Sequence, residues 1–273
     1  MVVYPNAKIN IGLSVTGKRE DGYHNLETVF YPIGLSDVLE VNRCEGAYGE
    51  CFIENTGIAV NCPKEKNLVV KAYKLLASAY RLPAVCISLH KEIPYGAGLG
   101  GGSSDAAFML KTLNDYFKLG ISEAGLCNYA SRLGSDCPFF IKNRPAFAHG
   151  RGELLEEISL SLGDYYVMIA KPDCEVSTEE AYRGIVPGPA GFELRKLNTL
   201  PVENWRKSVK NDFEHSVFLK HPEILKVKED MYEFGAVYAS MTGSGSGVYG
   251  LFRKGGRNVK DAFEGAFVWT DNE

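Results

Sequence analysis

The sequence lacks the features of secreted, membrane-spanning and nucleic-acid-binding proteins. Its seven cysteines include no Cys-x-x-Cys pair, so we expect reduced thiols, with neither a disulfide framework nor cysteine-bound metal. No apolar run reaches the ~20 residues of a membrane helix, and the beginning of the chain does not show the charged and then apolar pattern of a secretory signal. A net charge of −4 disfavours a basic nucleic-acid footprint. These absences predict a cytoplasmic protein with neither a membrane nor a nucleic acid as partner.

The length and composition allow a sizeable folded core. A chain of 273 residues with 45% hydrophobic residues can form one large domain or two modest ones. Tandem repeats and low-complexity segments are not visible. The 29 glycines of the 273 residues are about 11% of the chain, against a usual ~7%. This excess indicates more than one glycine-dependent loop.

The densest glycine cluster lies between Pro94 and Ala107, with glycines at positions 96, 98, 100, 101 and 102. A helical pattern follows directly, for which Ser103 is the expected N-cap and Asp105 a first-turn residue. Glycines allow several backbone N–H groups to turn inward, and the start of a helix adds further amides and a positive dipole. Because these groups favour anions, the stretch predicts a phosphate-binding loop.

Better-known glycine loops do not fit this stretch. The dinucleotide fingerprint is formally present as Gly96-x-Gly98-x-x-Gly101, but its strand must run straight into the turn. Here His-Lys-Glu-Ile-Pro separates the predicted strand Val85–Leu89 from the glycines. The Walker loop would need a following Gly-Lys-Ser/Thr, and the protein-kinase signatures are missing. A flexible linker is disfavoured because the helical pattern follows without a polar spacer.

Two positions leave alternatives open. The stretch Ala7–Val15 alternates between apolar and polar residues, which predicts a strand with Lys8 and Asn10 on one face. From spacing alone, a solvated lysine is the favoured interpretation. Asp136 lies at an element junction before the apolar run Phe139–Ile141, which predicts a buried strand. Helix capping and a chemical role are equally supported for Asp136.

A second glycine loop, Thr242–Gly247, joins the predicted strands Ala236–Met241 and Val248–Phe252. A hairpin bend explains two of its glycines. Three glycines in alternation indicate that a ligand or another stretch of backbone comes close. We therefore interpret this loop as one wall of an active site.

The pattern of elements predicts an α+β protein with two domains. Asn67 is expected to cap a helix over residues 68–80, after several short strands. Beyond about residue 160 the element order reads β-α-β-β-α-β, which is typical of a ferredoxin-like split unit. We therefore predict an N-terminal α+β domain over residues 1–158, which carries the first glycine loop. A ferredoxin-like α+β domain over residues 159–273 would face it across a cleft.

Five segments together carry a family resemblance. They are Pro5-Asn-Ala-Lys-Ile-Asn10, Gly22-Tyr-His24, Gly98-Leu-Gly-Gly-Gly-Ser-Ser-Asp-Ala-Ala107, Gly134-Ser-Asp136 and Met241-Thr-Gly-Ser-Gly-Ser-Gly247. In this order they resemble the superfamily of galactokinase, homoserine kinase, mevalonate kinase and phosphomevalonate kinase, the GHMP kinases. The resemblance covers nearly the whole chain and is loosest over residues 185–235. It implies the two-domain fold of that superfamily and an ATP-dependent kinase for a small molecule.

The resemblance implies an ATP site at the first glycine loop and near Asn67. ATP would carry Mg²⁺, for which no protein ligand is assigned, although Ser104 is a candidate. The implied ATP-binding residues are Asn67, Pro94, Tyr95, Gly96, Ala97, Gly98, Leu99, Gly100, Gly101, Gly102, Ser103 and Ser104.

The resemblance also implies a catalytic pair. Asp136 would accept or orient the proton of the substrate hydroxyl, and Lys8 would lie beside the transferred phosphate. Within the superfamily, the segments are most similar to the branch that phosphorylates a cytidine diphosphate-linked methylerythritol in the non-mevalonate route to isoprenoids. The implied cytosine contacts are Tyr23, His24 and Tyr182, and the weaker substrate contacts are Asn10 and Thr178.

Three alternatives remain at this stage. A mevalonate or homoserine kinase would share the ATP loop but not the cytosine contacts at Tyr23 and His24. A non-catalytic nucleotide sensor would keep the phosphate loop but would not need both Lys8 and Asp136. A dinucleotide oxidoreductase is the least favoured alternative. The sequence does not indicate an oligomeric state.

Overall fold

The structure is a computed structural model and describes residues 1–59, 62–256 and 259–271. The chain forms two compact units, each assembled from separate stretches. Unit 1 comprises Met1–Ala7, Gly34–Tyr95 and Gly100–Arg144, and unit 2 comprises Lys8–Ile33, Gly96–Leu99 and Pro145–Glu273. The first glycine loop therefore contributes to both units, with Gly96–Leu99 in unit 2 and the residues on either side in unit 1.

The described residues form twelve β-strands, eight α-helices and four 3-10 helices. The strands of the described residues are β1 (Val2–Val3), β2 (Asn6–Lys18), β3 (His24–Ser36), β4 (Val38–Arg43), β5 (Cys51–Gly57), β6 (Val85–Lys91), β7 (Ala146–His149), β8 (Leu154–Glu157), β9 (Tyr165–Lys171), β10 (Tyr238–Met241), β11 (Val248–Arg253) and β12 (Phe267–Thr270). The α-helices are α1 (Leu68–Ala77), α2 (Gly101–Tyr116), α3 (Glu123–Ser131), α4 (Cys137–Lys142), α5 (Thr178–Arg183), α6 (Trp205–Ser208), α7 (Phe213–Lys220) and α8 (Pro222–Glu233). Short 3-10 helices add Lys64–Lys66, Leu194–Thr199, Val202–Asn204 and Lys260–Ala262. None of the helices formed by these residues is long and apolar enough to cross a membrane.

Unit 1 is built on a sheet with the strand order β1-β4-β6-β5. Strand β6 pairs antiparallel with β4 and parallel with β5, and α1 lies in the crossover that a parallel pair requires. The side chains of β6 alternate between buried and exposed, so Val85, Ile87 and Leu89 enter the core. Lys91 follows on the same buried face.

Unit 2 contains most of a second sheet, with the order β2-β3-β7-β8. Strand β2 is buried on both faces from Ala7 to Val15. A Cβ atom on Gly12 would lie 2.6 Å from Leu194 Cδ2, and the Leu13 N–H donates to the Lys210 carbonyl oxygen at 2.8 Å. The segment over residues 194–212, where the sequence resemblance is loose, thus packs on β2 at Gly12 and pairs with its edge at Leu13.

The other sheet of unit 2 has the order β10-β11-β9-β12, and its neighbouring strands are antiparallel. In chain order these are the second, third, first and fourth strands, which is the topology of the ferredoxin-like unit. That prediction is confirmed. The sequence pattern predicts a helix over residues 258–264 for the second crossover, but the structure has the short 3-10 helix Lys260–Ala262 there. Residue 258 lies outside the described residues.

The apolar run Phe139–Ile141 is buried but helical, since it belongs to α4. Pro138 lies at the start of this helix, where a missing N–H costs no intrahelical bond. Asn143 ends the helix in the left-handed conformation, with a φ of 54°. The strand predicted here is therefore wrong. A run of three apolar residues is too short for periodicity to decide, and the proline was the better signal.

Candidate active site

Lys8 is buried in unit 2, with 3% of its surface exposed. Its Nζ donates to the Gly98 carbonyl oxygen at 2.8 Å and to Asn10 Oδ1, and it lies 5.1 Å from the centre of the Phe30 ring. An ammonium group removed from water needs such partners, because an uncompensated buried charge is strongly destabilising. The solvated-lysine interpretation is wrong, whereas the predicted strand and the shared face of Lys8 and Asn10 are confirmed.

Asn10 connects Lys8 with the second glycine loop. Its backbone N–H donates to Thr242 Oγ1 at 3.0 Å, and its Nδ2 donates to Thr28 Oγ1 at 3.1 Å. Thr242 Oγ1 in turn donates to the Gly98 carbonyl oxygen at 3.1 Å. The Gly98 oxygen thus accepts from both Lys8 and Thr242, which joins strand β2 and the two loops at one point.

Glycines of the two loops let their backbones approach closely within unit 2. A Cβ atom on Gly98 would lie 1.9 Å from the Thr242 carbonyl oxygen, and one on Gly247 would lie 2.5 Å from the Ala97 carbonyl oxygen. Real Cβ atoms cannot approach an oxygen so closely. The second loop was expected to contain glycine either for a hairpin bend or for the close approach of a ligand or another backbone. Close approach of another backbone explains Gly247.

Asn211 holds the second glycine loop from the other side and was not anticipated from the sequence. Its Nδ2 donates to the carbonyl oxygens of Met241 at 2.8 Å and Gly243 at 2.9 Å, and its Oδ1 accepts from the Phe213 N–H at 3.0 Å. No local pattern marks this residue, because the carbonyl groups that it binds lie 30 and 32 residues further along the chain.

The second half of the first glycine loop forms the start of α2 in unit 1. The helix begins at Gly101 and its N-cap is Gly100 in the left-handed conformation, so the predicted cap Ser103 is wrong and lies in the first turn. The first intrahelical bond runs from the Ser104 N–H to the Gly100 oxygen at 2.9 Å. The N–H groups of Gly101, Gly102 and Ser103 therefore stand outside the intrahelical ladder, as an anion site requires.

Three further residues expected to bind ATP, Asn67, Pro94 and Tyr95, lie in unit 1. Asn67 caps α1 as predicted, with its Oδ1 accepting from the Val69 N–H at 2.9 Å. Pro94 is buried, and Tyr95 is 55% exposed. Asn67 and Tyr95 line one cavity, whose wall also includes Leu68, Leu89 and Gly102.

The same cavity borders a buried lysine that lies between two buried carboxylates. Lys91 Nζ donates to Asp105 Oδ2 at 2.7 Å and to Asp37, which also accepts the N–H groups of Glu92 and Ile93 at 2.7 and 2.9 Å. One ammonium group neutralises only one of two carboxylates. Burial, together with the charge of Asp37, therefore raises the pKa of Asp105 to about 7 against the opposing effect of Lys91.

This cluster was not anticipated from the sequence, although a signal existed. Continuing the alternation of β6 by one step puts Lys91 on the buried face. A buried ammonium group needs hydrogen-bond acceptors or an opposite charge around it, so such partners were to be expected for Lys91. Asp105, expected in the first turn of α2, lies in its second turn because the helix begins at Gly101.

Asp136 precedes α4 in unit 1 and is half-buried. It occupies the N-cap position, but its side chain makes no capping hydrogen bond among the described residues. Ser135 Oγ donates to Asp136 Oδ1 at 3.3 Å. The capping interpretation is therefore not supported for this carboxylate. Its expected catalytic partner, Lys8, belongs to unit 2.

Unit 2 brings together two of the three side chains expected to contact cytosine. His24, the first residue of β3, stacks on Tyr182 with ring centroids 4.7 Å apart and planes 20° from parallel. Thr178, four positions before Tyr182, starts α5 and lies on the same face of that helix. Tyr23 is 58% exposed, and the guanidinium of Arg151 lies 5.1 Å from its ring centre.

Two sequence models of one kinase family match this chain. The model described as "GHMP kinases N terminal domain" matches residues 67–144, and the model described as "GHMP kinases C terminal" matches residues 194–268. The first region contains the start of α2 and Asp136, and the second contains Asn211 and Thr242. The resemblance inferred from the five segments is confirmed.

The chain is also similar over nearly its whole length to proteins named 4-diphosphocytidyl-2-C-methyl-D-erythritol kinase. It is 50% identical to that of Parabacteroides distasonis over 98% of each chain. It is 52% identical to that of Bacteroides thetaiotaomicron, over 94% of this chain and 93% of the relative. A crystal structure of 4-(cytidine 5'-diphospho)-2C-methyl-D-erythritol kinase superposes with a TM-score of 0.84 at 32% identity, covering 99% of this chain and 98% of that one. Homoserine kinase from Cytophaga hutchinsonii, at 17% identity and a TM-score of 0.65, shares the fold, with 97% of this chain and 94% of that one covered.

We expect Asp105 to make the protein less stable as the pH rises. The folded protein keeps the Asp105 proton up to a pKa of about 7, whereas an unfolded chain releases it near ~3.9. Between these values the folded state binds more protons, so the free energy of unfolding falls with increasing pH. Asp105→Asn is neutral at every pH. From pH ~4 to pH ~7.5, wild type should therefore lose roughly 2–4 kcal/mol of unfolding free energy relative to this variant, measured by urea unfolding.

Asp115→Asn is the matched control, because it removes an exposed carboxyl group from the same helix. Its unfolding free energy should follow that of wild type in parallel above pH ~5. If the curve of Asp105→Asn is equally parallel, Asp105 is ionised throughout this range and the assignment is wrong.

Proposed function

The chain belongs to the GHMP kinases, within the branch named 4-diphosphocytidyl-2-C-methyl-D-erythritol kinase, and from this premise we propose its reaction. It transfers the γ-phosphoryl group of ATP to the 2-hydroxyl of 4-diphosphocytidyl-2-C-methyl-D-erythritol, giving the 2-phosphate and ADP in the non-mevalonate isoprenoid pathway. The observation that carries this proposal is the contact of the Lys8 ammonium with the Gly98 carbonyl oxygen. It gives the phosphate-binding loop a positive charge of its own.

We assign the triphosphate of ATP to the first glycine loop and its base to the cavity beside it. The N–H groups at the start of α2 would hold phosphate oxygens, and Leu68 and Leu89 offer apolar walls for a purine. Mg²⁺ bound with ATP would neutralise charge on the phosphate oxygens. The Ser104 hydroxyl is buried and its Oγ has no hydrogen-bond partner in the described part of the chain. It therefore fits the oxygen ligand that Mg²⁺ prefers.

Lys8 and Asp136 have different tasks in the proposed reaction. Asp136 accepts the proton of the 2-hydroxyl as its oxygen bonds to the γ-phosphorus, while the bond from that phosphorus to the bridging oxygen of ADP breaks. Lys8 stabilises the negative charge on the transferred group. Most of the catalytic effect comes from positioning and electrostatics, because phosphoryl transfer needs little other chemistry.

We assign the cytosine ring of the substrate to Tyr23, His24 and Tyr182. Aromatic side chains contribute about 1–3 kcal/mol by stacking on a base, and a histidine can hydrogen-bond its edge. Asn10 and Thr178 supply weaker polar contacts. An alcohol without cytosine would make none of these base contacts, which favours this substrate over mevalonate or homoserine.

Three further properties belong to the proposal. The enzyme acts in the cytoplasm, takes small molecules rather than nucleic acid, and has a domain boundary near residue 158. That boundary falls between the two regions matched by the family models, which end at residue 144 and begin at residue 194.

Release of ADP from the purified protein tests the reaction. With ATP and Mg²⁺ present, we expect release that depends on 4-diphosphocytidyl-2-C-methyl-D-erythritol and is supported by neither mevalonate nor homoserine. Lys8→Ala and Asp136→Asn should each lower kcat by roughly 100-fold or more, because each removes a charge that acts on the transition state. The Kd for ATP of Asp136→Asn should stay within about fivefold of wild type.

Two variants control for the loss of a charge alone. Lys18→Ala removes an exposed lysine from the end of the same strand, and Asp164→Asn removes an exposed carboxylate. Both should retain the wild-type kcat. ATP binding without alcohol-dependent ADP release would contradict the substrate, and normal turnover by Asp136→Asn would contradict its role as base.

Tyr182 tests the assignment of the cytosine site. Tyr182→Ala should raise KM for the cytidine substrate by roughly 5–100-fold, since stacking worth about 1–3 kcal/mol is lost. Tyr182→Phe keeps the ring and its edge-on contact with Phe213, so its KM should stay near that of wild type. Tyr48→Ala removes an exposed tyrosine of unit 1 and serves as the control. An unchanged KM in Tyr182→Ala would refute the assignment.

A further inference from the structure

A cysteine, a histidine and a glutamate meet in unit 2 outside the residues assigned above. Cys174 lies in the loop after β9, His221 immediately precedes α8, and Glu223 lies in its first turn. One potential ligand atom from each residue lies within 4.8 Å of the others. Within the described ranges, no other group of three His, Cys, Asp or Glu residues has this spacing.

The spacing fits a tetrahedral transition-metal centre. His221 Nδ1 and Glu223 Oε1 are 3.4 Å apart. Two ligands that each bind zinc at ~2.0–2.1 Å with a tetrahedral angle lie ~3.3–3.4 Å from one another. A sulfur ligand at ~2.3 Å would lie ~3.6 Å from each of them. Cys174 therefore needs a shift of about 1 Å at most, within reach of a side-chain rotation.

A further carboxylate orients the histidine from its other side. His221 Nε2 lies 3.3 Å from Glu180 Oε1, and the same oxygen lies 3.4 Å from Lys220 Nζ. A metal-bound histidine almost always donates its second ring N–H to a carboxylate, a carbonyl or water, which fixes the tautomer. Glu180 supplies this partner, so the Nδ1 lone pair of His221 faces Glu223 and Cys174.

We propose that Cys174 Sγ, His221 Nδ1 and Glu223 Oε1 bind Zn²⁺ or a similar divalent transition metal, with water as the fourth ligand. Thiolate, imidazole and carboxylate are the donors that zinc takes in proteins. The two negative ligand charges balance the charge of the ion. As the sulfur–metal bond forms, the thiol releases its proton to solvent. The Glu223 side chain is 45% exposed, which gives the ion a route from solvent.

Cysteine-bound metal was not expected from the sequence, because the chain has no closely spaced pair of cysteines. Cys174 and His221 are far apart in the chain, and the fold brings them together because β9 ends where α8 begins. A ligand set that is assembled by tertiary structure has no local pattern.

The same side chains could instead form a hydrogen-bonded cluster without a metal. Burial, followed by a hydrogen bond with Glu223, raises the pKa of the Cys174 thiol. In such a cluster the proton stays on sulfur. The two states differ in a measurable way, because only a metal centre contains a bond between sulfur and a metal.

A metal at this position would stabilise the part of unit 2 that contains α5 and the second glycine loop. Glu180 lies on α5, which also carries Thr178 and Tyr182. The Cys174 carbonyl oxygen accepts a hydrogen bond from Ser246 Oγ, in the second glycine loop, at 2.6 Å. The centre would thus connect α5 with that loop, and its role would be structural.

Titration of the purified, chelator-treated full-length protein with Co²⁺ tests the site. Cobalt bound to a thiolate gives a sulfur-to-cobalt charge-transfer band in the near ultraviolet. We expect this band to saturate at one cobalt per chain, to disappear when Zn²⁺ is added, and to accompany a rise in Tm.

Cys174→Ser should abolish the band. His221→Gln and Glu223→Gln should each weaken Co²⁺ binding by at least about tenfold, whereas Cys86→Ser, which changes an exposed cysteine, should leave it unchanged.

Absence of the band up to ~1 mM Co²⁺, or a band that persists in Cys174→Ser, would overturn the proposal and leave the hydrogen-bonded cluster. Circular dichroism of each variant checks its folding. The side chain of Glu223 is 45% exposed, so Glu223→Gln should fold even if Cys174→Ser does not. Its weaker Co²⁺ binding then tests the site. None of these readouts needs kinase activity, and the outcome is therefore independent of the proposed function.

Discussion

The candidate site depends on keeping one ammonium group, that of Lys8, in a buried environment. Its Nζ donates hydrogen bonds to the Gly98 carbonyl oxygen and to Asn10 Oδ1. Gly98 can present its oxygen there because it has a φ of +70° and no Cβ atom, which would otherwise clash with Thr242. The conformation of the first glycine loop and the position of the lysine are therefore set by the same contact. A change to either should alter the other.

Close packing of the two glycine loops against each other explains why both are rich in glycine. Some glycines, such as Gly98 and Gly247, allow two backbones to pack together. A Cβ atom on Gly96 would instead meet nothing within 4 Å, which leaves space beside the loop for a ligand. Asn211 then holds the second loop in place through two of its carbonyl oxygens. The packed positions give the loop its shape, and the open positions leave room for a ligand.

Local patterns in the sequence predicted much of the fold, because alternation, caps and turn residues act over a few positions. The cap at Asn67, the strand over residues 7–15 and the order of the ferredoxin-like unit follow from such patterns. The burial of Lys8 does not, since alternation cannot distinguish a solvated face from one that a distant segment covers. Asn211 and the partners of Lys91 depend on long-range contacts in the same way. The first glycine loop could be singled out from the sequence because its glycines and the start of α2 are contiguous.

Thr242→Val tests most directly whether the contact between β2 and the two loops positions Lys8 for catalysis. Valine keeps the volume but removes the hydroxyl that accepts from Asn10 N and donates to the Gly98 oxygen. We expect kcat to fall by roughly 10–100-fold, because small displacements of a catalytic group are costly. The Kd for the cytidine substrate should change by less than about threefold, and the exposed Thr56→Val should behave like wild type. A folded Thr242→Val protein with the wild-type kcat would contradict this account.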